Sequence, residues 1–321
     1  MPLDPRQLDA FAATIASGSL SAAATSLRIT LAATSLRIKA LEDALGQRVL
    51  VRGKVARATP AGQALLAHIK QVRMLEADLA HTMQPARSAA EGGFQSISVA
   101  VNADSLAAWF FPGVQAALQR HRLTLDVVVD DQDHTLDWLK NGDVVGCITT
   151  LSVALRGCVA EPLGTMRYRC VAAPAVQARL HRTANSQTAS GASGIGLHQL
   201  VKEPAIVFNR KDSLQDQFLH TCFGVADLAY PRHYIPAVDA FHHALVSGMG
   251  WGMEADIQSA PFIASGALVD LFPSHVVDVP LYWQHWQRQA PQAARLTLAI
   301  KAAAKQYLLS PALVYPTPAQ A

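Results

Sequence analysis

Residues 20–45, LSAAATSLRITLAATSLRIKALEDAL, read as two short helices joined by a tight turn. Small Ala24 stands where the helices must touch, with Leu27, Ile29, Ala33 and Ile38 as the apolar contacts around it. Thr30 is suited to cap the second helix, because its hydroxyl accepts a first-turn N–H, and Gly46 can close the far end in a left-handed conformation. Ile38, Leu41 and Leu45 recur three and four apart and give one apolar stripe, leaving the opposite face to enter a major groove. The heptapeptide AATSLRI at 23–29 returns unchanged at 32–38, so the second helix partly copies its support.

On the N-terminal side, Asp4, Pro5 and Gln7 form a helix start, Leu8, Phe11 and Ile15 one face, and Gly18 a stop. On the C-terminal side the pattern alternates: Val49, Val51 and a strand at Val55 flank a turn at Arg52-Gly53-Lys54. Arg48, Arg52, Lys54 and Arg57 make this hairpin a basic wing suited to phosphates. Thr59-Pro60 opens a further helix in which Gly62, Leu65, Ile69, Val72, Glu76, Leu79 and Met83 step by three and four, with Leu75 beside the faulty Glu76. Such a helix, about 37 Å at ~1.5 Å per residue, predicts a partner helix and a homodimer with two readers on successive half-sites.

Composition narrows the classes. The chain has 321 residues, half of them hydrophobic, and no apolar run approaches the roughly 20 residues of a membrane span. MPLDPRQLDAF has no basic-then-apolar signal region, so a cytoplasmic protein without a membrane partner is expected. Residues 1–90 hold 11 Lys/Arg against 6 Asp/Glu; residues 91–321 hold 16 against 18, which puts the basic excess beside the helix pair. Cys147, Cys158, Cys170 and Cys222 show no metal spacing and read as reduced core thiols; His242 and His243 likewise have no metal spacing.

After a linker at Pro85–Gly93 (PARSAAEGG), strand and helix alternate: strands at 96–101, 123–129 and 144–149, then 168–173, 205–208, about 234 and 250–253, a returning strand at 276–282 and a closing helix at 293–308. This predicts an α/β fold with a buried parallel sheet. The polar stretch 183–196 reads as a surface insertion; its Gly191, Gly194 and Gly196 lack the preceding strand and acidic partner of a dinucleotide site.

A helix-turn-helix, basic wing, long helix and α/β region in that order resembles the LysR-type transcriptional regulators over nearly the whole chain. The residues that carry the likeness are Leu3-Asp4-Pro5-Arg6-Gln7-Leu8, Ser21-Ala22-Ala23-Ala24, Ile38-Lys39-Ala40-Leu41-Glu42 and Thr59-Pro60-Ala61-Gly62. Longer runs at 101–106 (VNADSL), 130–135 (DDQDHT), 207–212 (VFNRKD) and 279–286 (VPLYWQHW) are similar to the arginine- and lysine-responsive branch of that family. The resemblance implies a winged helix-turn-helix over 1–59, a dimerisation helix over 60–84, a hinge over 85–93 and a two-lobed, periplasmic-binding-protein-like effector domain over 94–310. Lobe I would comprise about 94–170 and 278–310, lobe II about 171–277, with crossings near Arg169–Pro174 and Val277–Leu281.

The expected DNA-binding residues are Ser21, Thr30, Leu31, Ala32, Ser35, Leu36, Arg37, Lys39, Arg52, Lys54 and Arg57. Members of the family it resembles usually carry proline or glutamine at the place of Leu31, serine or proline at Ala32, an aliphatic residue at Thr34 and glutamine or arginine at Leu36, so a weakened or altered sequence preference is expected here. The expected effector residues are Asn102, Asp104, Ser105, Asp131, Thr149, Thr150, Asn209 and Asp239. Several follow strand ends, where doubly wound sheets gather ligands; Asn102–Ser105 also open a helix able to hold a carboxylate. Asp104, Asp131 and Asp239 would pair the cations of a basic amino acid.

The expected function is therefore a DNA-binding regulator that senses lysine or arginine and controls a gene such as a basic amino acid exporter. It would need no cofactor and no metal and have no catalytic residues; its partners would be double-stranded DNA, the effector, a second copy of itself (a dimer or a tetramer) and RNA polymerase. The alternative is an α/β enzyme or small-molecule-binding protein acting on amino acids, with the helix-turn-helix degenerate; against the enzyme, the chain has no nucleophile elbow and no HExxH.

Overall fold

The computed structural model describes residues 3–51, 53–83, 93–129, 132–182 and 194–310. Arg52, Asp131, the linker up to 92 and positions 183–193 of the polar stretch lie outside the described residues.

The N-terminal unit comprises α1 (Pro5–Ser17), α2 (Leu20–Leu27), α3 (Leu31–Leu45) and the hairpin β1 (Leu50–Val51) and β2 (Arg57–Ala58). Each helix starts on a polar cap. Asp4 accepts the Arg6 N–H, Ser19 that of Ala22 and Thr30 that of Ala33, while Gly18 and Gly46 end α1 and α3 with φ of 68° and 69°. Phe11, Ile38, Leu41 and Val49 are wholly buried at the centre. Thr34 is buried beside them, and its hydroxyl donates to Thr30 O at 3.2 Å, so this polar group in the core has an acceptor. Glu42 Oε1 accepts the Val49 and Leu50 N–H groups at 2.9 and 3.2 Å, which ties α3 to the hairpin.

The hairpin differs from the expected one. Its second strand is Arg57–Ala58, and Val55 is exposed in the loop. The reason is the Ala56 N–H, which donates to Gly18 O at 2.7 Å and draws the chain towards α1 before it pairs with β1.

α4 (Pro60–Met83) does not present one continuous seam. Leu65 and Ile69 are buried in the core of the N-terminal unit, whereas Leu75, Leu79 and Met83 are exposed. Gly62 belongs to neither group: a Cβ there would stand 2.0 Å from Val49 O, so only glycine lets α4 pass under the hairpin. Further along, Lys70 Nζ reaches Asp143 Oδ1 at 2.5 Å and Asn141 O at 3.2 Å, joining α4 to the α/β region.

That region is built on one mixed sheet. In chain order its strands are β3 (Gln95–Val101), β4 (Leu123–Val129), β5 (Gly146–Thr149), β6 (Cys158–Ala172), β7 (Ala205–Val207), β8 (Arg232–Tyr234), β9 (Trp251–Ala255), β10 (Val269–Asp270) and β11 (Val276–Trp286). The spatial order is β4-β3-β5-β11-β6-β9-β7-β8, with β10 also on β6. At one end β3 pairs in parallel with β4 and β5; at the other, β7 pairs in parallel with β8 and β9. The long antiparallel pair β6 and β11 joins the two.

Helices follow the strands: α5 (103–121, with a π turn at Leu106–Phe110), α6 (Gln132–Lys140), α7 (Pro174–Arg182), α8 (Leu197–Leu200), α9 (Leu214–Phe223), α10 (Val238–Val246), α11 (Asp256–Ala264) and α12 (Pro291–Tyr307). The first crossing, expected at Arg169–Pro174, comes earlier in the chain. Tyr168–Ala172 already pair with β9, and Pro174 begins α7. The crossing occupies the residues just before Tyr168, opposite Asp278–Leu281 of β11.

The core is continuous through this region, with Trp109, Trp251 and Trp283 fully buried. The Trp251 indole N–H donates to Leu200 O and that of Trp283 to Thr297 Oγ1, both at 3.0 Å, so these two rings are buried with their polar edges satisfied. Among the described residues no helix is long and apolar enough to cross a membrane.

Candidate functional site

Two surfaces carry the candidate residues. On α3 the 3.6-residue period sends Thr34, Ile38 and Leu41 inward and leaves Ala32, Leu36 and Lys39 exposed, while Leu31 is exposed as the first residue of the helix. Ser35 is half-buried at the edge of that exposed face; Arg37 flanks the buried stripe instead. Ser21 lies exposed on α2, Thr30 is the cap, and Lys54 and Arg57 are exposed on the hairpin. Helix and wing thus place Lys39, Lys54 and Arg57 at solvent, where phosphates could meet them.

The second surface is a cleft of about 780 Å³ between the two ends of the sheet. The N-terminus of α5 contributes Asn102 and Asp104, the end of β5 contributes Thr150, and the crossing strands contribute Tyr168 and Asp278–Pro280. Across from them stands the loop 208–213, with Asn209, Lys211, Asp212 and Ser213. A narrow recess of about 20 Å³, roughly one water in size, continues below and adds Glu254, Met253 and Phe241 to Asp104 and Asp212.

Acids dominate this cleft. Tyr168 donates its hydroxyl to Asp104 Oδ2 at 2.7 Å. Burial pushes the Asp104 carboxyl up and the nearby Asp212 carboxylate adds to this, while the Tyr168 bond opposes both. Burial also raises Asp212, against the Leu214 and Phe208 N–H groups that its carboxylate accepts at 3.0 and 3.2 Å. Glu254, buried and held by His242 Nδ1 at 2.7 Å, is raised by burial, and Asp104 contributes in the same direction. Asp278 is different, because Arg167 binds it through two 2.8 Å contacts.

Of the expected effector residues, Asn102, Asp104, Thr150 and Asn209 come together in the cleft. Ser105 and Thr149 do not: both are buried behind it, and Thr149 Oγ1 accepts the Leu151 N–H at 3.2 Å. Asp239 is exposed on the first turn of α10, outside the lining, because Phe241, Ala244 and Leu245 turn the other face of that helix inward. Tyr168, Lys211, Asp212 and Glu254 were not expected. Asp212 closes the run 207–212, but an acid two residues before a helix reads first as a cap, and its carboxylate does accept the Leu214 N–H that opens α9.

The cysteines are free and lie in or at the core; burial raises Cys147 to about 12 and Cys158 to about 11, which leaves them poor nucleophiles at neutral pH. Among the described residues no group of three or more His, Cys, Asp or Glu could hold a metal ion.

Comparison with known proteins bears on both surfaces. Residues 5–63 match the model of the bacterial regulatory helix-turn-helix protein, lysR family, and residues 92–307 that of the LysR substrate binding domain. The regulator LysG of Mycobacterium bovis is 39% identical over 311 residues, 94% of this chain and 94% of LysG. The crystal structure of ArgP from Mycobacterium tuberculosis superposes with a TM-score of 0.84 at 37% identity, covering 96% of this chain and all of that one. Full-length LysG from Corynebacterium glutamicum with bound effector Arg gives a TM-score of 0.80 at 29% identity, covering 95% and 99%.

Proposed function

The chain belongs to the LysR family of transcriptional regulators, and on that premise we propose that its cleft senses a basic amino acid, L-arginine or L-lysine. The observation that carries this reading is the charge of the cleft. Asp104 faces it from the α5 side, Asp212 and the recessed Glu254 from the other, while Lys211 supplies a cation at the rim. A basic amino acid brings two cations and one anion. Its side-chain cation would lie between Asp104 and Asp212, its methylenes against Val129 and Val279, and its carboxylate towards Lys211 and the N-terminus of α5. The relative crystallised with bound Arg supports the same class of effector.

The working division is 1–59 for DNA, 60–84 for dimerisation, 85–93 as hinge and 94–310 for the effector. The reading set is Ser21, Thr30, Leu31, Ala32, Ser35, Leu36, Arg37 and Lys39, with Arg52, Lys54 and Arg57 on the wing. Exposed Leu75, Leu79 and Met83 on α4 supply an apolar face for a second copy. A homodimer acting in the cytoplasm on a gene for handling basic amino acids, such as an exporter, completes the reading.

Calorimetry of the full-length protein with L-arginine, L-lysine, L-ornithine and the uncharged isostere L-citrulline tests it. Heat with the cationic amino acids and none with citrulline is expected. Equal binding of citrulline, or no binding of any of the four, would overturn the proposal.

A further inference from the structure

The outward face of α3 is mostly hydrocarbon. Leu36 is 67% exposed on it, with Ala32 and Ala40 exposed alongside, and Leu31, the first residue of the helix, is 53% exposed at its N-terminal end. Neither leucine belongs to the core of the N-terminal unit, which α3 enters through Ile38 and Leu41. Charge surrounds this apolar face. Lys39 shares it, Lys54 and Arg57 stand on the adjoining hairpin, and residues 1–90 carry 11 Lys/Arg against 6 Asp/Glu. A surface that is apolar where it would enter the groove and basic at its margins matches a duplex approached through its major groove.

The chemistry of the base edges then limits what can be read. Guanine is recognised by arginine or lysine, adenine by asparagine or glutamine and cytosine by a carboxylate, whereas the 5-methyl of thymine is the apolar signature of that groove. Positions 31, 32 and 36 offer only hydrocarbon. We infer that Leu31, Ala32 and Leu36 read thymine methyl groups, so that the bound half-site is chosen at these positions by thymine rather than by purine edges. Ala32 and Leu36 lie one helical turn apart, about 6 Å along the axis, which places their contacts on a short run of neighbouring base pairs. Covering these side chains with methyl groups also removes from water the hydrocarbon that the free protein exposes.

This inference rests on α3 being the DNA reader, and its test separates the two. Duplexes are selected from a randomised pool with the full-length protein at low salt, and the enriched duplex is remade with deoxyuridine in place of thymidine, which removes only the methyl group. Enrichment of thymine is expected, with about a four-fold loss of affinity per contacted methyl, the equivalent of about 0.8 kcal/mol. Leu36→Ala, a change at an exposed position that the fold tolerates, should abolish the deoxyuridine penalty at one base pair. Equal binding of the thymidine and deoxyuridine duplexes, or a pool that enriches no thymine, would overturn the inference while leaving DNA binding intact. Failure to bind any duplex would remove the reader itself, and the inference with it.

Discussion

Asp104→Asn keeps the shape of the cleft and an oxygen to accept the Tyr168 hydroxyl at 2.7 Å, but removes one charge. Without effector that charge is unfavourable, because burial and then Asp212 push the Asp104 carboxyl up. A carboxyl whose pKa is higher folded than unfolded binds more protons in the folded state. It therefore lowers stability as pH rises through the interval between the two values, and the loss is complete above the folded one. The variant should melt at the same temperature as the natural protein or higher when effector-free. With effector the charge works the other way. A hydrogen bond to a charged partner contributes about 1.5–3 kcal/mol, so affinity for L-arginine should fall about 10- to 150-fold. Bound cation also draws the carboxyl pKa back down and expels a proton, so the natural protein should bind arginine less tightly as pH falls, and the variant should show less of that dependence. Calorimetry at neutral and mildly acidic pH, in buffers of different ionisation enthalpy, reads affinity and proton release; a thermal melt without effector reads stability. Unchanged affinity, or a fall in affinity together with a fall in melting temperature, would refute the reasoning.

Gly62→Ala places a Cβ 2.0 Å from Val49 O and should cost about 1–3 kcal/mol by overpacking, seen as a lower urea midpoint together with weaker DNA binding. Thr34→Val removes a hydroxyl that already has an acceptor in Thr30 O, so stability should change by less than about 1 kcal/mol; a larger gain would mean that the hydroxyl is unsatisfied. Lys54→Ala and Arg57→Ala should each reduce the slope of log affinity against log salt by about 0.9 if each neutralises one phosphate, measured by fluorescence anisotropy on duplex DNA, with base preference unchanged.

The N-terminal unit was legible because its signals are local. Asp4, Thr30, Gly18 and Gly46 each act within a few residues, and each stands where its chemistry requires. The cleft was legible only in part. Asn102, Asp104, Thr150 and Asn209 follow strand ends, a position that topology makes significant. Tyr168 sits inside a strand and reads as core, and Asp212 satisfies two backbone N–H groups and reads as a cap; each also faces the cleft. Asp239 shows the reverse error. Its charge made it a candidate, but the inward face of α10 belongs to Phe241, Ala244 and Leu245. In α4 the heptad pattern located the apolar positions and could not say which of them the chain's own core would cover, a question decided by the close passage of Gly62 under Val49.

An effector can shift a protein between two arrangements only through a difference in affinity for them, and the cleft supplies one from charge alone. Asp104 and the Asp212 and Glu254 carboxylates stand on opposite sides of the crossing strands, and their repulsion opposes approach of the two sides. A cation between them replaces that repulsion with two attractions, and does so most strongly when the sides are close, where the 1/r dependence is steepest and water is excluded. On the proposed reading, closure would thus be favoured only with a cationic ligand, and an uncharged isostere that fits equally well would leave the repulsion in place. Such a closure would have a path outward. Arg167 and Asp278 join the two crossing strands at the cleft, while Lys70, bound to Asp143 and Asn141 O, and Ala67, packed against Gly142, fasten α4 to the α5 side. Because the first half of α4 is also part of the N-terminal core through Leu65 and Ile69, a rotation of the α5 side would carry α3 with it, so that on the proposed reading the charge that selects the effector would also move the reader.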